Sequence, residues 1–336
     1  MPARGDSGRG AAAGLSCEFG SIIGQPPSAV KGKLRETLPK PINLISGKTI
    51  SMNVNLRKAR LEDADPCGRI CFEAFKAIAE QHNFPPDFPS PETAVGLMSA
   101  VIPRRDVYSV VAEIDGSVIG SNFLWESSSI AGIGPITIDP AVQNSRVGRA
   151  LMENVLEWAR KQRFAGVRLV QAAYHNRSLS LYTKLGFDAR EPLSTMQGPA
   201  LGLEVQGYAV RAATEADLEA CNEVCLRIHG HDRGEELLEA IRRGTATVVE
   251  HDRRIAGYAT LIGFFGHAVG GTNQELKALI GAAPSFLGSG FLLPTRNSDL
   301  FRWCLGKGLH VVQPMTLMSL GLYNEPTGAF LPSILY

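Results

Sequence analysis

Apolar side chains at Val147, Leu151, Val155 and Ala159, with Leu156 beside them, recur every fourth residue and predict an amphipathic helix starting at Val147. Before it, "GIGPITIDP" ending at Pro140 reads as a buried strand. Asp139 to Met152, "DPAVQNSRVGRALM", therefore contains a strand-to-helix turn. Further on, "LVQAAYHNRSLSLYTKLGFDAR" (Leu169 to Arg190) reads as a strand, a short helix and a Leu-Gly-Phe exit into another strand. "VVAEIDGSVIG" (Val110 to Gly120) and "VVEHDRRIAG" (Val248 to Gly257) each read as strand, turn, strand, with Asp115-Gly116 as the tighter hairpin signal. Two charge-poor stretches, Ile255 to Gly271 and Ala278 to Thr295, are broken by Gly, Pro, Thr, Tyr or His; they read as buried strands rather than membrane spans.

The pattern repeats. "LRKARLEDADPCGRIC" (Leu56 to Cys71) aligns without a gap on "VRAATEADLEACNEVC" (Val210 to Cys225), an offset of 154 that carries Arg57 to Arg211, Asp63 to Asp217, Cys67 to Cys221 and Cys71 to Cys225. Each copy predicts a short strand and a capped helix, with a Thr214/Asp217 capping box in the second and Asp63 or Asp65 capping in the first. The paired cysteines share a helix face, but neither pair has a matching second pair nearby, so they read as core residues rather than zinc ligands. The first copy is longer, and its surplus includes "HNFPPDFPSPE" (His82 to Glu92), a proline-fixed loop carrying His82, Phe84, Asp87 and Phe88. Loops of this kind often face a ligand.

Composition narrows the class. Apolar residues at 44% and charged ones at 20% describe a globular chain, and 336 residues suffice for two domains. A net charge of +1 gives no pull toward nucleic acid or an acidic membrane. The six cysteines form no secretory framework and no signal peptide opens the chain, so a cytoplasmic protein is expected. Residues 1–51 are rich in Gly, Ala, Ser and Pro and read as a disordered or targeting leader, or as sequence preceding a true start at Met52.

A strand-to-helix turn exposes helix N–H groups that lack intrahelical acceptors and lie at the positive end of the dipole. A diphosphate satisfies both needs. Taken with the downstream strand, helix and Gly-Phe exit, the turn resembles the GNAT superfamily of acyl-CoA-dependent N-acyltransferases. The family's diphosphate loop, Gln/Arg-x-x-Gly-x-Gly/Ala, is matched by Gln143 to Gly148 except that Arg146 stands at the first glycine. Its second signature is matched by Asn176, Leu181-Tyr182 and Gly186-Phe187. The resemblance covers Asn53 to Gln206 well and the second half loosely.

The resemblance implies an α/β (α+β) fold of two GNAT-like domains, each a mixed, mostly antiparallel sheet flanked by helices, with a splayed strand pair for acyl-CoA. Residues 52–206 would form the catalytic domain and 207–336 a degenerate one. The backbone of Arg146, Val147, Gly148 and Arg149 would hold the CoA diphosphate, with Gln143 opening the loop. The strand Gly134 to Ile138, through Ile136, Thr137 and Ile138, would pair with the pantetheine arm, Asn176 would contact that arm, and Tyr182 would protonate the departing thiolate. Arg146 is expected in a helical or extended conformation. In the second half Cys304 falls at the place of Tyr182, and "HAVGGTNQELKALI" reads as a remnant diphosphate turn.

The expected reaction is acetyl transfer from acetyl-CoA to a primary amine, with no metal, no nucleic acid or membrane partner, and a monomer with an internal pseudo-dimer as the assembly. His82, Phe84, Phe88 and Glu126 are expected near the acceptor; Glu126, His82 and Asp87 are candidates for the base, which the sequence leaves unassigned. The alternative is a non-catalytic acyl-CoA-binding regulatory module.

Overall fold

The computed structural model describes residues 54–126, 128–143 and 146–335. The leader 1–51, Met52, and Asn144 and Ser145 of the predicted loop lie outside the described residues.

The first half runs β1 (Asn55–Lys58), α1 (Ala64–Gln81), α2 (Pro91–Val101), β2 (Val107–Ile114), β3 (Ser117–Trp125), β4 (Ile130–Ile133), β5 (Thr137–Ile138), α3 (Val147–Lys161), β6 (Gly166–Ala172), α4 (Asn176–Lys184) and β7 (Asp188–Gln197). The second half follows with β8 (Tyr208–Ala212), α5 (Leu218–His229), α6 (Gly234–Arg242), β9 (Thr247–His251), β10 (Arg254–Ala259), β11 (Ala268–Gly270), α7 (Asn273–Ala282), β12 (Phe291–Pro294), α8 (Ser298–Gly306), β13 (His310–Gly321) and β14 (Ala329–Leu331). The charge-poor stretch from Ile255 forms strands β10 and β11, but the one from Ala278 first completes helix α7 and reaches a strand only at Phe291. Continuous apolar runs do not separate buried helix from buried strand, which is why the sequence reading missed this.

Both hairpins turn tightly. Asp115 and Gly116 take φ of 49° and 78°, and Asp252 and Arg253 take 49° and 63°, the left-handed pair that matches strand twist. The repeated Arg and Asp form matching ion clusters. Arg57 Nη1 donates to Asp63 at 2.6 Å and its Nε to Glu113 at 2.7 Å; Arg211 Nη1 donates to Asp217 at 2.8 Å and its Nε to Glu250 at 2.9 Å. Thr214 and Asp217 close a capping box; the Asp217 carboxylate accepts from the Thr214 N–H as Asp63 does from the Arg60 N–H, and neither Asp63 nor Asp217 makes a side-chain cap on the following helix, α1 or α5. Cys67, Cys71, Cys221 and Cys225 are all buried, packed into two separate cores.

The halves cross-pair. One nine-stranded sheet has the order β1-β2-β3-β4-β6-β13-β7-β12, with β5 on β3, and a five-stranded sheet has the order β14-β11-β10-β9-β8. β7 and β13, each following a helix and a positive-φ glycine (Gly186, Gly308), pair with one another, and β6 and β12 flank them. Like the isologous face of a two-fold dimer, this arrangement is self-complementary. Its consequence is that side chains of β13 reach the first half's cavity.

Candidate active site

The strand predicted through Pro140 is interrupted. β4 pairs parallel with β6 only from Ile130↔Gly166 to Gly132↔Arg168; then comes the cis Gly134-Pro135 bond, and β5 pairs instead with β3 at Gly120↔Ile138 and Ser121↔Thr137. A Gly-Pro pair cannot sustain a central ladder. Where β5 parts from β6 the sheet opens, and a cavity of about 1020 Å³ lies against the opening.

The cavity is lined by Ile136, Thr137 and Ile138 from the split strand, by Gln143, Arg146, Val147, Gly148 and Arg149 from the turn, and by Asn176 and Tyr182 from α4. The structure thus brings together in one cavity the residues singled out for the acyl-CoA arm and leaving group. Gln143 Oε1 accepts from Arg177 Nη2 at 2.9 Å, tying the turn to the start of α4, and exposed Arg149 pairs with Glu153 at 2.8 Å.

Arg146 departs from expectation. It is the N-cap of α3 with φ 67° and ψ 3°, a left-handed conformation rather than a helical or extended one. This is the geometry for which the family pattern reserves glycine, and an L-residue meets a steric penalty there. The Arg146 side chain makes no capping hydrogen bond to the helix. At Gly148 an added Cβ would lie 3.1 Å from Ile138 Cδ1, so this glycine lets α3 start close against β5.

The second half closes the corresponding position with its own side chains. Thr272 caps α7 and forms a reciprocal box with Glu275, whose buried carboxylate accepts from the Thr272 N–H at 2.8 Å. A Cβ on Gly270 would meet Glu275 Cβ at 2.6 Å. A helix start sealed this way offers a phosphate little. Cys304 on α8 is buried, and burial pushes its thiol up to about 12.

Tyr182 is buried against Phe187, their ring centroids 6.2 Å apart. Burial pushes its hydroxyl up to about 12, opposed by Ser178 one turn earlier. The phenol is therefore protonated at neutral pH, the state a proton donor needs. Ser178 Oγ also hydrogen-bonds His175 Nδ1, and burial, with Arg177 and His82 nearby, pushes the His175 imidazole down to about 4.

At the proline loop, Phe84 stacks on Tyr174 at 4.3 Å and His82 lies 5.2 Å from the same ring; Phe88 packs edge-on to Phe75 at 6.0 Å and lines the cavity. His82 and Phe84 themselves are not among the lining residues. Glu126 is elsewhere: its carboxylate accepts from Trp158 Nε1 on α3, and it does not line the cavity. Asp87 does, and burial pushes its carboxyl up, opposed by a hydrogen bond from Gln313.

Three lining or supporting residues escaped the sequence reading. Gln171 on β6 is buried in the lining, and neither of its amide atoms is hydrogen-bonded to another described residue. Its signal was a polar residue inside the apolar run "VRLVQA". Tyr174 follows the same strand, and Gln313 lies on β13, where nothing local marks it.

The architecture is thus a mostly antiparallel sheet flanked by helices, with one strand split at Gly134-Pro135 and a cavity between that strand and the starts of α3 and α4. Residues 75–187 match the family model described as "Acetyltransferase (GNAT) family", and this part of the chain belongs to that family, whose members transfer acyl groups from acyl-CoA. The chain is similar to the structure of a proposed acetyltransferase from Pyrococcus horikoshii, at 18% identity and a TM-score of 0.62, over 81% of this chain and 91% of that one. It is also similar to a GCN5-related N-acetyltransferase from Sphaerobacter thermophilus, at 14% identity and a TM-score of 0.54, over 81% and 96%. Both likenesses extend over the two halves and establish the fold. No curated protein matches the chain in sequence. Among the described residues no helix is long and apolar enough to cross a membrane.

Proposed function

We propose that the chain is an N-acetyltransferase that moves the acetyl group of acetyl-CoA to a primary amine, with catalysis in residues 52–206 and a degenerate GNAT-like unit in 207–336. The observation that carries this reading is the convergence of the split strand, the α3 start and Tyr182 on one cavity. The N–H groups at Val147, Gly148 and Arg149 would take the diphosphate, with Arg146 and Arg149 adding charge. The broken pairing at Gly134 to Ile138 leaves backbone groups for the pantetheine arm, and Asn176 stands at the start of α4 on the same cavity.

The neutral amine attacks the thioester carbonyl, the C–S bond breaks as the C–N bond forms, and Tyr182 gives its proton to the thiolate sulfur. The nitrogen's surplus proton then leaves, and the Tyr182 phenolate regains a proton. No residue is assigned as base.

Acetyl-CoA, ATP and NAD compared for their effect on Tm give the ligand class: the proposal requires a rise with acetyl-CoA that exceeds the other two. Thiol release is then followed across a panel of amines with wild type and Tyr182→Phe. Tight CoA binding without turnover of any amine would replace this reading with the CoA-binding regulatory module.

A further inference from the structure

The cavity is chemically divided. Its arginine and lysine lining residues, Arg146, Arg149, Arg177 and Lys184, all come from the diphosphate turn, α3 and α4. Among the described lining residues Asp87 is the one carboxylate, and it comes from the proline loop between α1 and α2. Apolar surface surrounds it through a chain of contacts. Its neighbour Phe88 packs on Phe75; its partner Gln313 shares a strand with Met315, which clusters with Phe264 and Ile334; and Phe264 packs edge-on to Phe265 at 5.8 Å. Four of these, Phe264, Phe265, Met315 and Ile334, are lining residues contributed by the second half.

We propose that the acceptor is a hydrophobic amine, a single amino group on an aromatic or aliphatic body, whose ammonium form docks on Asp87 and gives one proton to water before the neutral nitrogen attacks, with the body lying on the wall supplied by the second half. The inference rests on the acyltransferase reading and gives that site its substrate class. A carboxylate has about four lone-pair positions, and among the described residues the hydrogen bond at Asp87 is the one from Gln313 at 3.0 Å. Capacity therefore remains for an ammonium. A second cation on the acceptor would meet no second carboxylate, and the apolar wall would strip its water without return. The buried, unpaired Gln171 amide supplies a further neutral polar contact and no charge. Polyamines and polycationic sugars are thus disfavoured, while single-charge arylalkyl and alkyl amines fit.

The test uses the full chain loaded with CoA and titrated calorimetrically with 2-phenylethylamine, hexylamine and spermidine, alongside acetyl-CoA assays on the same amines. The first two should bind at least about tenfold more tightly than spermidine, a difference of about 1.4 kcal/mol. Asp87→Asn should weaken 2-phenylethylamine binding by at least about tenfold while leaving CoA affinity unchanged, and Asp87→Glu should restore part of it. Phe265→Ala, at a side chain 44% exposed and so tolerant of truncation, should narrow the preference for 2-phenylethylamine over ethylamine. Preference for spermidine, or unchanged amine affinity in Asp87→Asn, overturns the proposal. Amine binding is read without turnover, so the anchor is decided even in a chain that transfers no acetyl group, and failure to bind CoA counts against the acyltransferase reading alone.

Discussion

Gln313, on β13 of the second half, donates through Nε2 to the Asp87 carboxylate at 3.0 Å. Its Oε1 accepts from the Tyr174 hydroxyl at 2.9 Å, which fixes which end of the amide faces Asp87. The carboxylate of the first half's cavity is therefore held by a strand that enters between β6 and β7 from the other half of the chain. Gln313→Ala should cost about 1–3 kcal/mol of stability, because it leaves partners on a buried group unsatisfied. It should also weaken amine binding more than it alters CoA affinity. Urea unfolding and paired calorimetric titrations of amine and CoA check both parts.

Arg146 sits at φ 67°, so Arg146→Gly should relieve backbone strain. Up to about 1 kcal/mol of stabilisation is expected, since the left-handed cost is partly offset by the greater unfolded-state freedom of glycine. CoA affinity should stay within about tenfold. Gly148→Val should abolish CoA binding and lower Tm, as the first added carbon already meets Ile138 Cδ1 at 3.1 Å. Calorimetric CoA titration and thermal melts of the two variants separate these outcomes.

Tyr182→Phe should reduce kcat by about 10²- to 10⁴-fold, the usual worth of a positioned acid, with CoA affinity retained. Burial pushes the hydroxyl up to about 12, so the wild-type kcat profile should show no alkaline loss from this group below about pH 10. A loss centred near neutrality that vanishes in Tyr182→Phe would contradict the upward push on this hydroxyl.

Acid should destabilise the fold through its buried histidines. Burial pushes His175 and His231 down to about 4 from an ordinary 6.5, and lowers His229 and His267 as well. The unfolded chain binds protons near pH 6.5 that the folded chain refuses, so stability is complete above that pH and falls as pH drops toward 4. Tm should decline steadily from pH 7 to pH 5, and His175→Gln should flatten the decline.

Much of the fold was legible because its determinants are local. The fourfold apolar spacing from Val147 gave α3, Asp115-Gly116 gave a hairpin, and the offset linking Arg57 and Asp63 to Arg211 and Asp217 marked two copies of one strand-and-helix segment, whose Arg and Asp pair in both copies. The lining residues Gln143, Arg146, Val147, Gly148, Arg149, Asn176 and Tyr182 were found by motif, since each lies within a few residues of the element that positions it.

What the sequence by itself determined was thus the periodic helices, the hairpin turns and the internal repeat, because side-chain period and turn chemistry act over a few residues. The tertiary structure alone decided that β13 lies between β6 and β7, that Gln313 reaches Asp87, that Phe264 and Phe265 wall the cavity, and that Arg146 adopts positive φ. Strand partnership is chosen by burial and register across more than a hundred residues of chain, and a backbone dihedral is imposed by the packing on both sides of a turn. The first choice leaves no mark at the residue that makes it, and the second leaves one only in the glycine that the family pattern places where Arg146 stands.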